Sequence, residues 1–469
     1  MSGGRRPPPL PAESQTGGQR RQQQAAGAGD SSRLRANDPS SSRPRSVDVL
    51  WPEHFVEAVA VRVAENAATF DGRLAAAPAV VAFFQVCSAW RTISWSELLW
   101  EELTHRVWSP RRRRRRLHPS WRQEFISLHR IAANFRSGRC LHSQPVHPPP
   151  SPARSCRRLA LSDRKLAAGF TDGHVHLYDL PSAAFLGSYD LHLQRDRLGR
   201  FSRSISGIIL RLRRLIFASQ DGDIGVAPIS SAENGNVTAR RARAGNPVED
   251  GTLVDFTGDE RWWVGLFAGV PGRSWRVWDG ETEEEVFAGG SLTDLESVAG
   301  WHMLADISGP SVARIGVAEE GLVVGCTGTR LQAVRVEERG AVGEGLDMEL
   351  RAAAVDGMGA SEGRVVVVEG GWLGVVRVAQ TMEEVCRFGL ATGRRRGDEG
   401  RVLGCMNWGY VVVWVGGGVG RIWDAANGEL LYGFRERVGE TVATAASDRY
   451  VAAWAEDSGL HLWDFGAGL

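Results

Sequence analysis

Seven segments of this chain follow one pattern, a short β-rich unit that closes on a strand, and three of these strands end in Trp-Asp. The closing strands are HVHLYD (174–179), IGVAPI (224–229), WRVWD (275–279), LQAVRV (331–336), GVVRV (374–378), GRIWD (420–424) and LHLWD (460–464). Their ends lie about 40 to 57 residues apart, which is the period of a propeller blade. A single sheet cannot bury both of its faces, so the units must stack around an axis. The pattern predicts a mainly β fold over residues 157–469, a β-propeller of about seven blades.

Turn signals between the predicted strands agree with this reading. Asp172-Gly173, Asp221-Gly222 and Asp457-Ser458-Gly459 each separate two apolar runs, as tight hairpin turns do. The units resemble WD repeats, although the Gly-His dipeptides common in that family are largely missing and the fourth and fifth units lack Trp-Asp. The resemblance implies degenerate blades in which structural roles fall on Asp172, Trp278, Asp279, Trp423, Asp424, Trp463 and Asp464.

No pattern in the chain indicates catalysis, a bound metal or a cofactor. The 11 histidines are spread out, and the six cysteines show no C-x-x-C or zinc spacing. The run GGGVG (416–420) is not followed by Lys-Ser/Thr, so a hairpin turn is predicted there and not a phosphate loop. We therefore expect no catalytic residues, and cysteines that are structural thiols in a reducing compartment.

The net charge of +1 hides an uneven distribution. Residues 105–160 carry 14 arginines against one acid, and residues 161–469 carry 31 basic against 43 acidic residues. An acidic propeller should prefer basic or neutral partners, and nucleic acid is an unlikely ligand. No apolar run approaches ~18 residues, and the chain begins without an apolar signal segment, so we expect no membrane span.

The region before the propeller has three parts. Residues 1–46 are rich in Arg, Pro, Gln, Ser and Gly, a composition that predicts a disordered tail. Residues 47–108 predict short helices: one over 54–70, one from Pro78 through Ile93, and a third capped by Ser94 or Ser96. By periodicity alone, these helices would equally fit an ordinary three-helix bundle. Residues 109–156 form a basic connector.

Specific residues within 47–108 go further than periodicity. Leu50-Trp51-Pro52-Glu53, then Val86-Cys87-Ser88-Ala89-Trp90-Arg91, then Leu98-Leu99-Trp100-Glu101-Glu102-Leu103 resemble an F-box in their order. This resemblance implies docking on a Skp-type adaptor and recruitment to a cullin ubiquitin ligase. Some of the matching residues must also be the core of the bundle. They are Leu50, Pro52, Val86, Cys87, Trp90, Leu99 and Trp100.

The connector opens with an arginine run in SPRRRRRRLHP (109–119). Its six consecutive members are Arg111, Arg112, Arg113, Arg114, Arg115 and Arg116. Such a run indicates a nuclear import signal. A solvated charge run and a phosphate-binding arm are the alternatives.

A helix is predicted after the arginine run, over 120–138. Trp121, Phe125, Leu128 and Ile131 share one face of it, and Asn134-Phe135-Arg136-Ser137-Gly138 ends it. This segment resembles the helix and N-aromatic-x-x-G joint that links F-boxes to WD-repeat propellers. The resemblance implies a linker helix that holds the two domains at a fixed distance.

The segment from Trp51 to Trp108, followed by degenerate WD repeats, is similar to the plant STERILE APETALA family. That similarity implies a nuclear F-box protein that acts in flower and organ growth. The scattered cysteines and the lack of an apolar signal segment leave the cytoplasm as a second location. It further implies a transcriptional regulator that directs repressor complexes of the PEAPOD type to degradation. Our first hypothesis is therefore a non-catalytic substrate receptor of a cullin-based SCF ubiquitin ligase.

Two other functions stay open at this point. The chain could be a nuclear scaffold or transcription cofactor outside any ligase, or a nucleic-acid binder that uses the arginine-rich connector. One further feature concerns the ligase hypothesis alone. Lys165 is the single lysine of the chain, so a receptor held beside activated ubiquitin would have few amines of its own to modify.

Overall fold

The fold is taken from a computed structural model of the chain. It describes residues 51–108, 116–145, 154–191, 203–229, 235–294, 311–337, 342–343, 345–390, 401–416 and 418–468. The predicted tail 1–46, Leu50 and the arginines Arg111–Arg115 lie outside these residues. Residues Pro52–Leu469 form one compact unit.

Helices come first in this unit. They are α1 (Glu53–Phe70), α2 (Ala76–Phe84), α3 (Ser88–Ile93), α4 (Glu97–Trp108) and α5 (Trp121–Ser137), with a 3-10 turn at Arg73–Ala75 before α2. Two serines cap helices as their sequence positions suggest. The Ser96 hydroxyl accepts from the Leu99 amide at 3.4 Å, and the Ser120 hydroxyl accepts from the Gln123 amide at 3.2 Å.

The helix predicted from Pro78 through Ile93 is wrong as a single element. The chain leaves the helix at Gln85 and resumes at Ser88. Cys87 lies between them in an extended conformation, with φ −154° and ψ 167°, and its sulfur accepts from the Trp90 amide at 3.4 Å. The cysteine thus acts as the N-cap of α3, a role that helical periodicity does not reveal.

Strands make up most of the remaining chain. In the first half they are β1 (Leu141–Ser143), β2 (Cys156–Leu161), β3 (Lys165–Phe170), β4 (Val175–Asp179), β5 (Ala184–Asp190), β6 (Ile205–Leu210), β7 (Arg214–Ser219), β8 (Ile224–Pro228), β9 (Gly235–Thr238), β10 (Arg240–Arg243), β11 (Thr252–Gly258), β12 (Trp262–Ala268), β13 (Trp275–Asp279) and β14 (Glu285–Gly289). A short helix α6 (Pro247–Asp250) precedes β11.

The second half continues in the same way. Its strands are β15 (Ala313–Glu319), β16 (Leu322–Thr327), β17 (Arg330–Arg335), β18 (Leu346–Glu349), β19 (Ala353–Ser361), β20 (Arg364–Glu369), β21 (Leu373–Val378), β22 (Glu384–Gly389), β23 (Val402–Met406), β24 (Tyr410–Val415), β25 (Val419–Asp424), β26 (Leu430–Gly433), β27 (Thr441–Ala446), β28 (Tyr450–Ala455) and β29 (Gly459–Asp464). Each of the seven predicted closing segments contains a strand: β4, β8, β13, β17, β21, β25 and β29.

The strands described here pair into six sheets. Four sheets have four strands, in the orders β1-β29-β28-β27, β15-β16-β17-β18, β19-β20-β21-β22 and β23-β24-β25-β26. A fifth has the order β2-β3-β4-β5-β9, and a sixth has eight strands in the order β10-β8-β7-β6-β11-β12-β13-β14. The prediction of a mainly β, propeller-like fold behind a few helices is confirmed. The count of seven blades is not confirmed, because five sheets of four or five strands stand beside one of eight.

The cores lie between neighbouring sheets. One buried cluster joins Leu166 and Phe170 of β3 to Tyr450 and Leu462 of the β27–β29 sheet. We use the name first strands for β2, β6, β11, β15, β19, β23 and β27. Each contacts the next one in this order, and β27 contacts β2, so that the contacts form a closed cycle. This cycle of contacts brings side chains from distant parts of the sequence together on the first strands.

Candidate functional site

Two residues of the predicted adaptor motif lie in the core of the helical bundle. Leu99 is 2% exposed and Trp100 is 7% exposed, in a cluster with Val80, Phe84 and Phe125. The Trp100 indole donates to the Ser94 carbonyl at 2.7 Å, and its ring centre lies 5.3 Å from that of Phe125. Both residues are therefore placed to stabilise the bundle and the attachment of α5 to it.

The other described motif residues lie nearer the surface. Pro52, Val86 and Cys87 are exposed, and Val86 keeps 66% of its surface. Trp90 is half-buried, and its ring stacks on that of Phe83 at a centroid distance of 4.4 Å. Leu50 lies outside the described residues. The structure thus separates the motif into a core pair and a group that solvent or a partner can reach.

Three exposed apolar side chains in the same stretch as Val86, those of Val81, Trp95 and Leu98, were not singled out as site residues from the sequence. We define the apolar face as Val81, Val86, Trp95 and Leu98, which are 54%, 66%, 70% and 74% exposed. The four side chains fall within residues 81–98, and exposed apolar patches are typical of interaction sites. The signal in the sequence was the apolar pair around the predicted cap of α4, but without the fold it could not be told from core.

A cleft lies between α2 and α5, beside the apolar face. Its floor is apolar, and its volume is about 300 Å³. Val81 belongs both to the cleft and to the apolar face. Its other apolar walls include Val80, Phe84, Phe125 and Ile126, and Arg91, Arg122 and Arg130 also line it. An apolar cleft with a few charged groups fits a protein side chain or a small apolar ligand.

Helix α5 ends against the sheets through an aromatic stack. Phe135 is fully buried, and its ring lies 3.6 Å from that of Phe465 and 5.2 Å from that of Tyr410, measured between centroids. Gly138 ends the helix at φ 70°, a conformation that favours glycine. A Cβ at that position would lie only 3.2 Å from the Tyr432 ring. The aromatic residue and the glycine of the predicted joint thus both contact the β region.

Hydrogen bonds hold the same junction. The hydroxyl of Tyr432 donates to the Phe135 carbonyl at 2.6 Å, and that of Tyr410 donates to the Ala132 carbonyl at 2.9 Å. The guanidinium of Arg136 donates to Asp424 at 3.1 Å. Several hydrogen bonds thus join the C-terminal end of α5 to the sheets.

In each Trp-Asp pair the tryptophan lies in the core and the aspartate lies at a turn. Trp278, Trp423 and Trp463 are at most 1% exposed. The carboxylate of Asp279 accepts from the Glu281 and Thr282 amides at 2.8 and 3.0 Å, and these bonds hold its pKa below the usual value. Asp424 and Asp464 likewise accept from the Ala426 and Gly466 amides at 2.8 and 2.7 Å. In each case the tryptophan fills the core and the aspartate closes the turn that follows.

Asp172, assigned to a structural role from the sequence, lies at a different kind of turn. Its carboxylate pairs with Arg154 at 2.6 Å and accepts from the His174 amide at 3.2 Å. Arg154 lies two residues before β2, and Asp172 lies two residues after β3. The pair therefore connects the start of one strand to the hairpin beyond the next strand of the same sheet.

An ionic network on the first strands was missed from the sequence. Arg158, Asp255, Arg314 and Asp356 lie on β2, β11, β15 and β19, and Arg401 comes directly before β23. Each aspartate follows a valine in an apolar strand, as Val254-Asp255 and Val355-Asp356. That repeated dipeptide was the available signal, but the contacts join residues 45 to 97 positions apart in the chain, and only the fold brings them together.

The predicted arginine run falls within the described residues only at Arg116. Arg116 is the described member of the arginine run; it pairs with Glu97 at 3.4 Å and lies over the Trp121 ring. Across the described residues, no group of three or more His, Cys, Asp or Glu side chains could hold a metal ion. No helix in that part of the chain is both long and apolar enough to cross a membrane.

Comparison with known proteins gives one extensive match in sequence. No protein-family model matches this chain. The protein described as "Transcriptional regulator STERILE APETALA" from Arabidopsis thaliana is 42% identical over 450 residues, which cover 94% of this chain and 98% of that protein.

Likeness to solved structures is at the level of fold. The WD40 β-propeller domain of Doa1 gives a TM-score of 0.45 at 12% identity, with 69% of this chain and 97% of that chain covered. The computationally designed protein Ika8 gives 0.43 at 15% identity, covering 66% and 96%. BamB from Moraxella catarrhalis gives 0.42 at 14% identity, covering 66% and 85%.

Proposed function

The chain belongs to the STERILE APETALA family of plant proteins, and on that premise we propose that it is the substrate-receptor subunit of a cullin-based SCF ubiquitin ligase. The relative's description as a transcriptional regulator fits a receptor that removes transcriptional repressors. In this role the helical bundle binds a Skp-type adaptor, α5 acts as the spacer, and the β region binds the substrate. Family resemblance points to repressor complexes of the PEAPOD type as substrates.

One observation carries the proposal: a helical bundle with an accessible apolar face is joined rigidly to the propeller-like body. Val86, Trp95 and Leu98 expose apolar surface that a soluble protein would ordinarily bury. Asn134 and Phe135 at the far end of α5 are bonded to the body. A receptor needs both features, because one surface must bind the shared machinery while the other holds the substrate at a set distance.

The protein itself performs no chemistry in this proposal. A ubiquitin-conjugating enzyme bound to the same complex transfers ubiquitin, and the receptor contributes proximity and orientation. The body is a seven-bladed propeller if the eight-stranded sheet is counted as two blades. That count is supported by the single parallel bridge, Phe256 to Gly207, between its halves. A side chain at Gly207 would collide with the Phe256 carbonyl, so this close approach requires glycine.

The nucleus is the proposed location, since the relative is described as a transcriptional regulator and the run Arg111–Arg116 has the composition of an import signal. The same description favours a second candidate function. A nuclear scaffold or transcription cofactor that never joins a ligase would also use a propeller-like surface to bind proteins.

Affinity purification of the full chain with the proteasome inhibited separates the two functions. We expect an adaptor and a cullin to co-purify with the wild-type chain and to be lost from a Val86→Asp, Leu98→Asp variant. The matched control is Leu212→Asp, since Leu212 is 66% exposed on the β region. Recovery of the body's partners without adaptor or cullin, from wild type as well as from variants, would instead establish the scaffold.

A further inference from the structure

The cleft between α2 and α5 has an apolar floor formed by buried side chains. Val80, Phe84, Trp100 and Phe125 line it and are at most 7% exposed. Water gains little from contact with such a surface, so its removal by an apolar group is favourable. The floor therefore predicts an apolar portion in any molecule that binds in the cleft.

Three arginines line the same cleft. Arg91 and Arg130 are exposed, whereas Arg122 is half-buried. Among the described residues that line the cleft, none is an aspartate or a glutamate. A bound anionic group would be attracted by the three guanidiniums, with no carboxylate of the cleft to repel it. The charge of the cleft thus predicts an anionic group on the same molecule.

Aromatic rings position the half-buried arginine. The guanidinium carbon of Arg122 lies 4.5 Å from the ring centre of Trp95 and 5.9 Å from that of Trp100. A cation over a ring uses the face of the guanidinium, whereas the N–H donors point outward in its plane. An oxyanion can therefore accept hydrogen bonds from Arg122 while the guanidinium stays over the rings.

A histidine of the cleft has an unsatisfied ring nitrogen. His129 lines the cleft, and burial lowers its pKa, so its ring is neutral near pH 7. Within the described residues, its Nδ1 is buried and has no hydrogen-bond partner. A buried polar atom in this state is unfavourable. A polar group of a ligand, or a water bound with it, would supply the missing partner.

The volume of the cleft limits the size of its ligand. At about 300 Å³, it lies at the lower end of the range of small-molecule sites, roughly 300–1,000 Å³. This space suits one apolar chain or ring with a polar group at its end. A protein segment would insert one or two side chains, and the rest of it would lie outside the cleft.

We propose that the cleft between α2 and α5 binds a small amphiphile, with its apolar body on the floor and an anionic head, a carboxylate or a phosphate monoester, at Arg91, Arg122 and Arg130. Bound there, the amphiphile would also cover part of Val81, which belongs to both the cleft and the apolar face. Its binding would therefore alter the surface that the proposed function assigns to the adaptor. That last consequence alone rests on the proposed function.

The test uses the full chain without adaptor and probes that share a ten-carbon tail: decanoate, decyl phosphate and decan-1-ol. Titration calorimetry measures their binding at concentrations below those at which the probes aggregate. We expect at least one anionic probe to bind with one-to-one stoichiometry. Decan-1-ol should bind about tenfold more weakly or not at all, because it lacks the charge that strengthens hydrogen bonds to guanidinium.

Two variants test the arginines and the floor separately. Arg91→Gln with Arg130→Gln removes two exposed guanidiniums, so the chain should keep its Tm and bind the anionic probe about tenfold more weakly. Ala77→Phe places a ring in the cleft from α2 and should weaken the binding of every probe. Arg62→Gln is the matched control, since Arg62 is 74% exposed on α1 and does not line the cleft. It should bind like wild type.

Weaker binding to the Arg91→Gln, Arg130→Gln chain, with the control unchanged, supports the site, and the preferred anionic probe identifies the head. Absence of binding by both anionic probes overturns the proposal, as does equal affinity for decanoate and decan-1-ol. Binding that the arginine variant retains in full places the probes elsewhere and also overturns it. If Ala77→Phe does not fold, the arginine variant still decides.

A protein occupant of the cleft would give a different result. In that case no probe binds, and the arginine variant loses the adaptor when the chain is affinity-purified. Failure of the proposed function would appear as the absence of adaptor and cullin from the wild-type purification. The calorimetry contains no adaptor, so it would be unaffected by that failure.

Discussion

The side-chain amide of Asn134 donates a hydrogen bond to the carbonyl oxygen of Phe465, 2.8 Å away and 331 residues further along the chain. This bond connects the end of the linker helix to the residue that follows the last strand. Phe465 is fully buried, so its carbonyl has few other partners available. This contact and its neighbours attach the end of α5 to the β body.

Replacing Asn134 with alanine should lower the free energy of unfolding by about 1–2 kcal/mol, because a buried carbonyl loses its donor. Hydrogen exchange should also become faster across 132–138 than in the sheets, since the junction loosens first. Chemical denaturation and exchange mass spectrometry measure the two effects. Asn66→Ala, on the exposed side of α1, is the control and should change neither. Faster exchange spread evenly over the whole chain would contradict a local role.

Replacing Asp255 with asparagine should destabilise the protein by roughly 3–5 kcal/mol, since Arg158 would remain buried without its carboxylate partner. Adding Arg158→Met to Asp255→Asn should recover part of this loss. Asp347→Asn provides the comparison: its carboxylate is exposed and pairs with Arg330, so the change should cost under ~1 kcal/mol. Urea denaturation of all four proteins measures these differences. Equal effects of the two aspartate changes would be inconsistent with a buried ionic network.

Acid should destabilise the last sheet, in which β1 pairs with β29. His142 of β1 and His461 of β29 lie 3.0 Å apart, Nε2 to Nδ1. Burial, then the charge of His142, lowers the pKa of His461 to about 4 from 6.5, and the nearby Glu436 opposes this only in part. Because the folded state binds the proton less readily than the unfolded state, stability is complete above pH 6.5 and falls as the pH drops toward 4.

The size of this acid effect should be on the order of 1 kcal/mol after screening by solvent. Denaturation curves between about pH 7.5 and pH 4.5, in steps of roughly half a pH unit, span the ordinary histidine pKa of about 6.5 and measure this effect. His461→Gln should show a shallower decline, and His54→Gln, at an exposed position on α1, should follow wild type. A decline that is unchanged in His461→Gln would assign the acid sensitivity to other groups.

If the chain works in a ligase, its own modification should be confined to Lys165 or the N-terminal amine, because Lys165 is the single lysine. Mass spectrometry of the purified complex during ubiquitination should find few other sites. Lys165→Arg together with a blocked N-terminus should abolish modification of the receptor while that of the substrate continues. Abundant ubiquitin on the doubly altered chain would count against this expectation.

The local elements of the fold could be predicted from the sequence because their signals are local. The alternation in WRVWD and GRIWD predicted strands that form as β13 and β25. The family resemblance, carried by 51–108 and the degenerate repeats, is confirmed over nearly the full chain. The break at Cys87 was not predicted, since its sulfur cap competes with an apolar run that by itself favours one continuous helix.

The long-range features could not be predicted in the same way. Asp255 and Arg158 are 97 residues apart in sequence and 3.0 Å apart in space, and only the order of the sheets brings them together. Exposure posed a similar difficulty: Leu98 and Leu99 are adjacent leucines, yet one is 74% exposed and the other 2%. Their difference in exposure follows from how α4 packs on α1 and α5, which no periodicity within α4 alone determines.

The pairing of β1 with β29 has a consequence for biosynthesis. Leu141 lies opposite Asp464 in that sheet, so a segment made early by the ribosome must wait for one made more than 300 residues later. At ~5–20 residues per second, the delay is at least about 15 seconds. Throughout it, the early edge stays open to wrong partners, and a chaperone that shields nascent chains would have its greatest effect on this protein before residue 459 emerges.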